Sequence, residues 1–366
     1  FWQRLICICY VGFIALAGLG DWKTLQSFLG GLPKIITAGV IGMAIVYGLI
    51  YPDMERVKKV FWPTLVYMSL IVLLFLWSIA IWLMDFSAIS TMIRACSKLM
   101  FQSISILAAV GGVFLLGSKT IDLFAIAVCL ANAGIMVLEI PTFGLSASIQ
   151  SLMRCLLTFG EAEGYARNLE IHDLTFVFGQ LVLYYAAFAP HDTKQEKRRR
   201  WRMLVACTFF FFVGMKRIAI PAVVLFIFVA LIVRRSKNKK KLIIVWGVAW
   251  VVFFFLYIYA VRSGLVSKLL HIAGIDMMGR DYLWSLANDY YDLSITYVGH
   301  GFEYVETIVT EWYNSGIINH PYPFHNDILK VFVEMGFPGF VFWAGIQYII
   351  TPIFWIHYAD EDTALL

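Results

Sequence analysis

The residues best suited to chemistry lie in the second half of the chain. His325 follows two prolines in the segment PYPFHND at 321–327, and imidazole is suited to proton transfer near neutral pH. Arg280 follows Gly279 in the segment MGRDYLW at 278–284. A guanidinium group pairs bidentately with phosphate oxygens and stays charged. The late part of the chain therefore carries a candidate general base and a candidate anion-binding cation.

Lys216 and Arg217 form a second pair of candidate cations. They stand between two short apolar runs, on the membrane side opposite to the basic loops described below. Charge at that depth is costly and often marks a functional site, although both side chains can also snorkel to the headgroups. We expect the pair to bind an anion.

Further polar residues are candidates for substrate contact, each with a structural alternative. His300 stands between Gly299 and Gly301, where the glycines predict a tight turn. Asn326 can cap the helix predicted to begin after it, and Arg280 can form a surface ion pair with Asp281. The candidate substrate-binding residues are Lys216, His172, Arg167, Trp284, Asn326 and His300.

Composition decides the fold class. The chain is 61% hydrophobic and 14% charged, with a mean hydropathy of +0.78, so it must use lipid as solvent. Its apolar runs of about 20 residues are long enough to cross a bilayer as helices. They are continuous, whereas membrane strands would alternate. The sequence predicts an all-α polytopic membrane protein.

The hydropathy pattern predicts about ten or more transmembrane helices. A helical bundle is predicted at 1–261, a large outward-facing loop at 262–336, and the last span with a cytoplasmic tail at 337–366. The predicted spans are 5–20, 35–51, 60–84, 99–117, 121–140, 174–190, 203–215, 218–233, 242–260 and 337–357.

Basic loops predict the orientation. The net charge of +5 falls in clusters between spans, which indicates topology rather than a nucleic-acid partner. Under the ten-span count these clusters share one side, the cytoplasm, and 141–173 and 262–336 lie outside. The clusters are Arg56, Lys58 and Lys59; Lys194, Lys197, Arg198, Arg199, Arg200 and Arg202; and Arg234, Arg235, Lys237, Lys239, Lys240 and Lys241.

Several common sequence motifs are missing from the chain. It has no Walker-type phosphate loop, no HExxH zinc helix and no GxSxG elbow. The six cysteines have neither metal-ligand spacing nor a paired framework. The sequence therefore predicts chemistry without a metal or another cofactor.

A set of residues follows a recognisable order from about 200 to 345. The set is Arg217, then Gly279-Arg280 with Trp284, then Gly299-x-Gly301, then His325-Asn326 with Leu329, Glu334, Gly336 and Gly339. This order resembles the O-antigen ligase and O-antigen polymerase superfamily, which are multi-span glycosyltransferases of the bacterial cell envelope. The first half of the chain matches only in hydropathy.

The resemblance implies a glycosyltransferase C type fold and a metal-independent reaction on the outer face of the bacterial cytoplasmic membrane. It implies a sugar donor carried on undecaprenyl diphosphate. We expect Arg217 and Arg280 to bind the diphosphate and His325 to act as the base. A chain-length regulator and a flippase are expected partners.

The molecule that accepts the glycan distinguishes the two kinds of enzyme in the superfamily. A polymerase joins lipid-linked repeat units into O-antigen, capsule or exopolysaccharide, whereas a ligase transfers the glycan to the lipid A core of lipopolysaccharide or to a protein. Lys216 stands where a ligase is expected to carry a small hydroxyl residue, which favours the polymerase.

A transporter or flippase of lipid-linked sugars is the contrasting class. Transporters have broken helices and polar residues near the midplane, often in repeated halves. Here the predicted mid-span charge is sparse and the polar residues pool on one face, which favours an enzyme. A structural scaffold would leave Arg217, Arg280 and His325 without a role.

Overall fold

A computed structural model describes residues 2–20, 32–85, 89–158, 164–169, 172–214, 219–272, 274, 277, 279–359 and 363. These residues form helices joined by turns, with no strand among them. The α-helices are α1 Trp2–Leu19, α2 Leu32–Ile50, α3 Met54–Asp85, α4 Ile89–Leu116, α5 Thr120–Phe143, α6 Leu145–Thr158, α7 Tyr165–Asn168, α8 His172–Leu183, α9 Lys194–Val213, α10 Ala219–Arg235, α11 Lys239–Arg262, α12 Leu265–Ile272, α13 Arg280–Ala287, α14 Tyr304–Asn314, α15 Asp327–Gly345 and α16 Thr351–Tyr358.

Within the described residues, five helical stretches are long and apolar enough to cross a membrane. They are Trp2–Leu19, Met54–Met84, Ile89–Phe143, Lys239–Arg262 and Asp327–Tyr358. Ile89–Phe143 is divided by the 3-10 turn Gly117–Lys119 between α4 and α5. The chain is thus an all-helical polytopic membrane protein. A helix lies within each of the ten predicted spans, but the count of ten spans and the outer loop stay predictions.

The chain divides into two compact units. The first comprises Phe1–Thr64 and Ile104–Lys237, and the second comprises Leu65–Ser103 and Asn238–Leu365. The second unit contains the predicted outer loop together with the helices before and after it. Whether 262–336 lies outside the membrane stays a prediction.

In the first unit, α5, α8 and α9 pack around a core that includes Phe178 and Tyr185. A π-helix at Tyr184–Phe188 ends α8 and opens backbone carbonyls that an α-helix would use. Arg200 Nε donates to Tyr185 O at 2.6 Å, and Arg234 donates to Ala187 O. Two cations of the basic loops therefore stabilise this helix end.

In the second unit, the core joins α11, α13, α14 and α15. Aromatic rings dominate it, for example Phe254 against Phe340 with ring centroids 6.5 Å apart. The predicted loop is therefore folded against the helices that flank it. This packing fixes the elements that carry the candidate site.

Candidate active site

A kink in α15 fixes the backbone around the candidate site. Pro338 has no N–H, so the carbonyl of Glu334 lacks its helical partner, and Gly336 has a non-helical φ of +65°. The amides of His300 and Gly301 donate to Glu334 O at 3.1 and 2.7 Å instead. The broken helix thereby binds the backbone of the 299–301 segment.

Glycine is required where these two segments meet. Gly299 and Gly301 have φ values of +84° and +91°, which side chains disfavour. A Cβ on Gly299 would lie 2.4 Å from Gly336 N, and one on Gly336 would lie 2.1 Å from Val298 C. The tight turn predicted at His300 lies instead just after it, at 302–303, where Tyr304 N donates to Gly301 O at 3.3 Å. Residues 299–301 are irregular backbone held against α15.

His325 occupies a strained position at the entrance to α15. Its φ of +51° is one of two positive values at residues other than glycine in the described chain. Such strain costs about 1–3 kcal/mol and collects at functional sites. The preceding Phe324 is buried, whereas His325 itself is exposed. The chain therefore holds an accessible imidazole on a fixed backbone.

Asn326 caps α15, as one of the two sequence interpretations expected. Its Oδ1 accepts from Leu329 N at 3.1 Å, which is typical of an N-cap. Asn326 is only 5% exposed, and its Nδ2 makes no hydrogen bond to the described residues. Capping thus uses one end of the amide, and the predicted contact of Asn326 with substrate is untested.

The helix α13 links Arg280 to His325. Leu283, Trp284 and Ala287 form its buried stripe, and Arg280 stands at the exposed end of the same stripe because residues three and four apart share a helix face. Trp284 Nε1 donates to the carbonyl of Phe324 at 3.1 Å. One hydrogen bond thus anchors the arginine helix to the residue before the histidine.

Arg280 and Asp281 are both exposed, and neither forms an ion pair with any residue that the structure describes. The surface salt bridge proposed as the alternative for Arg280 is absent from this part of the chain. We define the His325 site as Arg280, Trp284, Phe324, His325 and Asn326.

His300 packs among tyrosines. Its Nε2 donates to the carbonyl of Tyr290 at 2.8 Å, and its ring stacks on Tyr304 with centroids 4.2 Å apart. These contacts give His300 a structural role in packing. Contact between His300 and substrate stays a prediction.

A buried ion cluster beside the kink was not singled out from the sequence. Lys330 Nζ lies 3.1 Å from Glu303 Oε1, 3.0 Å from Glu306 Oε1 and 3.8 Å from Glu334 Oε1. Lys98 Nζ lies 2.7 Å from Glu303 Oε1. We call Lys98, Glu303, Glu306, Lys330 and Glu334 the Lys330 cluster.

The centre of the Lys330 cluster is buried, whereas Lys98 and Glu306 at its edge are 49% and 32% exposed. The side chains of Glu303 and Glu334 are 1% and 0% exposed, and that of Lys330 is 13% exposed. Burial raises the pKa of Glu306, but the attraction of Lys330 and of Lys98 outweighs it, and the pKa is lowered overall. The spacing of Lys330 and Glu334 by four residues inside an apolar helix was the available sequence signal.

Arg262 at the end of α11 was also missed by sequence reasoning. It donates to the carbonyls of Asn288 and Tyr291, and its guanidinium lies 4.8 Å from the ring centroid of Tyr291. Burial raises the pKa of the Tyr291 hydroxyl to about 12, against the opposing effect of Arg262. Arg262 therefore stabilises the turn that follows α13.

For the four remaining candidate residues, the structure does not describe the side chains. Lys216 and Arg217 lie outside the described residues. Arg167 lies on α7 and His172 begins α8, but their side chains also lie outside the description. Their predicted roles remain predictions. Among the residues described, no group of three or more His, Cys, Asp or Glu side chains is arranged to hold a metal ion.

The fold and the late residues define a multi-pass membrane protein of a recognisable class. A family model described as O-antigen ligase matches residues 203–344, a range that contains α13, α15 up to residue 344 and the whole His325 site. This similarity confirms the resemblance of the late residues to the O-antigen polymerase and ligase superfamily. No curated protein and no solved structure matches the chain.

Proposed function

We propose that the chain is a glycosyltransferase that joins lipid-linked oligosaccharide repeat units into O-antigen, capsular or exopolysaccharide chains. The donor is a glycan on undecaprenyl diphosphate. The family match at 203–344 supports a function of the polymerase or ligase type. The hydrogen bond from Trp284 to Phe324 O carries the proposal for the site, because it ties the helix of Arg280 to the segment of His325.

In the proposed reaction, Arg280 and Arg217 bind the diphosphate and stabilise the charge that develops on it. Neutral His325 takes the proton from the acceptor hydroxyl. The acceptor oxygen forms a bond to the anomeric carbon in line with the bond to the diphosphate, which breaks. The lipid diphosphate leaves with the bonding electron pair, and the anomeric configuration is inverted.

The proposed location is the outer face of the bacterial cytoplasmic membrane. The basic loops of the chain support it, since they predict a cytoplasmic side that leaves 262–336 outside. A flippase would deliver the substrate to that face. A chain-length regulator is the other proposed partner.

A ligase is the second candidate, and the description of the matching family favours it. It would use the same donor and the same residues but a different acceptor, either a lipid A core or a protein. Lys216, which stands where we expect a small hydroxyl residue in ligases, keeps the polymerase first.

Purified protein incubated with a lipid-diphosphate-linked repeat unit alone, without metal or nucleotide, tests the proposal. A ladder of longer lipid-linked glycans on a gel is the expected result. Transfer that needs an added lipid A core or protein acceptor would replace the polymerase with the ligase. The absence of transfer to any acceptor would contradict both and favour a transporter.

A further inference from the structure

A cavity of about 390 Å³ lies in the first unit, and none of its described lining residues has a role in the proposed reaction. It forms where the start of α1, the end of α2, the start of α3 and the turn between α4 and α5 come together. This volume falls within the range of small-molecule sites, which is about 300–1,000 Å³. The cavity is large enough for a headgroup.

The cavity is lined by cations. Arg56, Lys59 and Lys119 contribute to its wall, and no acidic residue is among its described lining residues. Arg56 is held in place because its Nε lies 3.2 Å from Asp53 Oδ2 and its guanidinium donates to Phe114 O at 3.3 Å. One guanidinium and two ammonium groups therefore line the same cavity.

The rest of the wall is largely apolar. Ile6 on α1, Val60 on α3 and Leu116 at the end of α4 line the same space. These elements meet at the end of the helices that the basic loops predict to be cytoplasmic. Cations beside an apolar wall fit a molecule with an anionic head and a hydrocarbon chain.

We propose that this cavity binds the phosphate headgroup of an anionic membrane lipid. Lys59, Lys119 and Arg56 make charge-assisted contacts with the phosphate oxygens, and the hydrocarbon chain lies along Ile6, Val60 and Leu116. Basic pockets between membrane helices on the cytoplasmic side recognise lipid headgroups in this way. A soluble phosphate compound is also anionic, but it has no hydrocarbon chain to pack against the apolar wall.

The test measures equilibrium binding to the purified full chain in detergent. The probes are dihexanoyl phosphatidic acid, dihexanoyl phosphatidylcholine and inorganic phosphate. We expect phosphatidic acid to bind best. The double variant Lys59→Gln with Lys119→Gln should weaken that binding about 10-fold or more through the loss of charge-assisted contacts, with an unchanged melting temperature.

A matched control removes two exposed lysines that do not line the cavity. Lys58 pairs with Glu55 at 3.2 Å on the same helical turn, and Lys194 begins α9. Lys58→Gln with Lys194→Gln should keep full affinity. The proposal would be overturned if both double variants lost the same affinity for phosphatidic acid, or if Lys59→Gln with Lys119→Gln lost none. It would also be overturned if the wild-type protein bound phosphatidylcholine as tightly as phosphatidic acid. Inorganic phosphate that binds as well, with the same variant dependence, would support the anion site and assign it a soluble source.

Discussion

The Lys330 cluster and the His325 site lie in the same unit, but they differ in the exposure and pairing of their ionisable groups. In the cluster, Lys330 Nζ contacts three carboxylates, of which Glu303 and Glu334 are nearly inaccessible. In the His325 site, Arg280 and His325 are exposed at the ends of well-packed elements. A cation that protein carboxylates already surround serves the architecture. A cation held at the end of a buried stripe is available to a substrate.

The largest expected effect is a loss of stability on removing Lys330, which distinguishes its structural role from the substrate-binding role of Arg280. Lys330→Met leaves buried carboxylates without their cation, so we expect the free energy of unfolding to fall by about 3–5 kcal/mol. Chemical denaturation in detergent measures the change. Arg280→Met is the control and should keep wild-type stability. A Lys330→Met protein as stable as wild type would contradict the structural role of the cluster.

Arg280→Lys should affect activity and not stability. The ammonium group keeps the charge but loses the bidentate geometry of the guanidinium. The loss of one charge-assisted hydrogen bond corresponds to about a 10- to 100-fold lower rate of glycosyl transfer. The rate is measured with the lipid-linked repeat unit. Full activity in Arg280→Lys would argue against bidentate recognition of the diphosphate.

Trp284→Phe probes the connection between α13 and the histidine segment. Phenylalanine keeps the aromatic packing but leaves the carbonyl of Phe324 without its donor. We expect a loss of about 1 kcal/mol in unfolding free energy and about a 10-fold slower transfer, because small displacements of reacting groups are costly. Loss of stability with unchanged kinetics would reduce this bond to a packing role.

The smallest expected effect is a pH dependence of stability that arises from Glu306. Its pKa in the folded protein lies below the ordinary value of 4.5. The stabilising contribution of Glu306 is therefore fully present above that value and is lost as pH falls through the folded pKa. Thermal melts from pH 6 downward should show a smaller acid-induced decrease for Glu306→Gln. Identical profiles for the two proteins would contradict the ion pair.

Much of the fold follows from the sequence because lipid imposes simple rules on length and polarity. Continuous apolar runs predicted helices at every span position. Glycine spacing predicted an unusual backbone at Gly299 and Gly301, which have positive φ values, although the turn itself lies just after them at 302–303. The prolines with Asn326 predicted the start of α15. These are local features, in which one or two residues decide the backbone.

In the Lys330 cluster, only the pair Lys330 and Glu334 has a local spacing that sequence reasoning could have used. Lys98 and Glu303 are far apart in the chain, and only tertiary packing brings them within 2.7 Å. Gly336 and Pro338 predict the break in α15 locally, but its hydrogen-bond partners, the amides of His300 and Gly301, likewise come from a distant segment. Long-range pairs of this kind leave no periodic signal in a single sequence. The partner of each charge therefore had to come from the structure.

The most direct test compares two exposed histidines of the second unit. His325→Ala should lower the rate of glycosyl transfer about 10²–10⁴-fold, the usual contribution of a general base, while its melting temperature stays at the wild-type value. His271→Ala on α12, where His271 is also exposed, should retain full activity. Unchanged turnover in His325→Ala would contradict the assignment of His325 as the base, and with it the account of the His325 site.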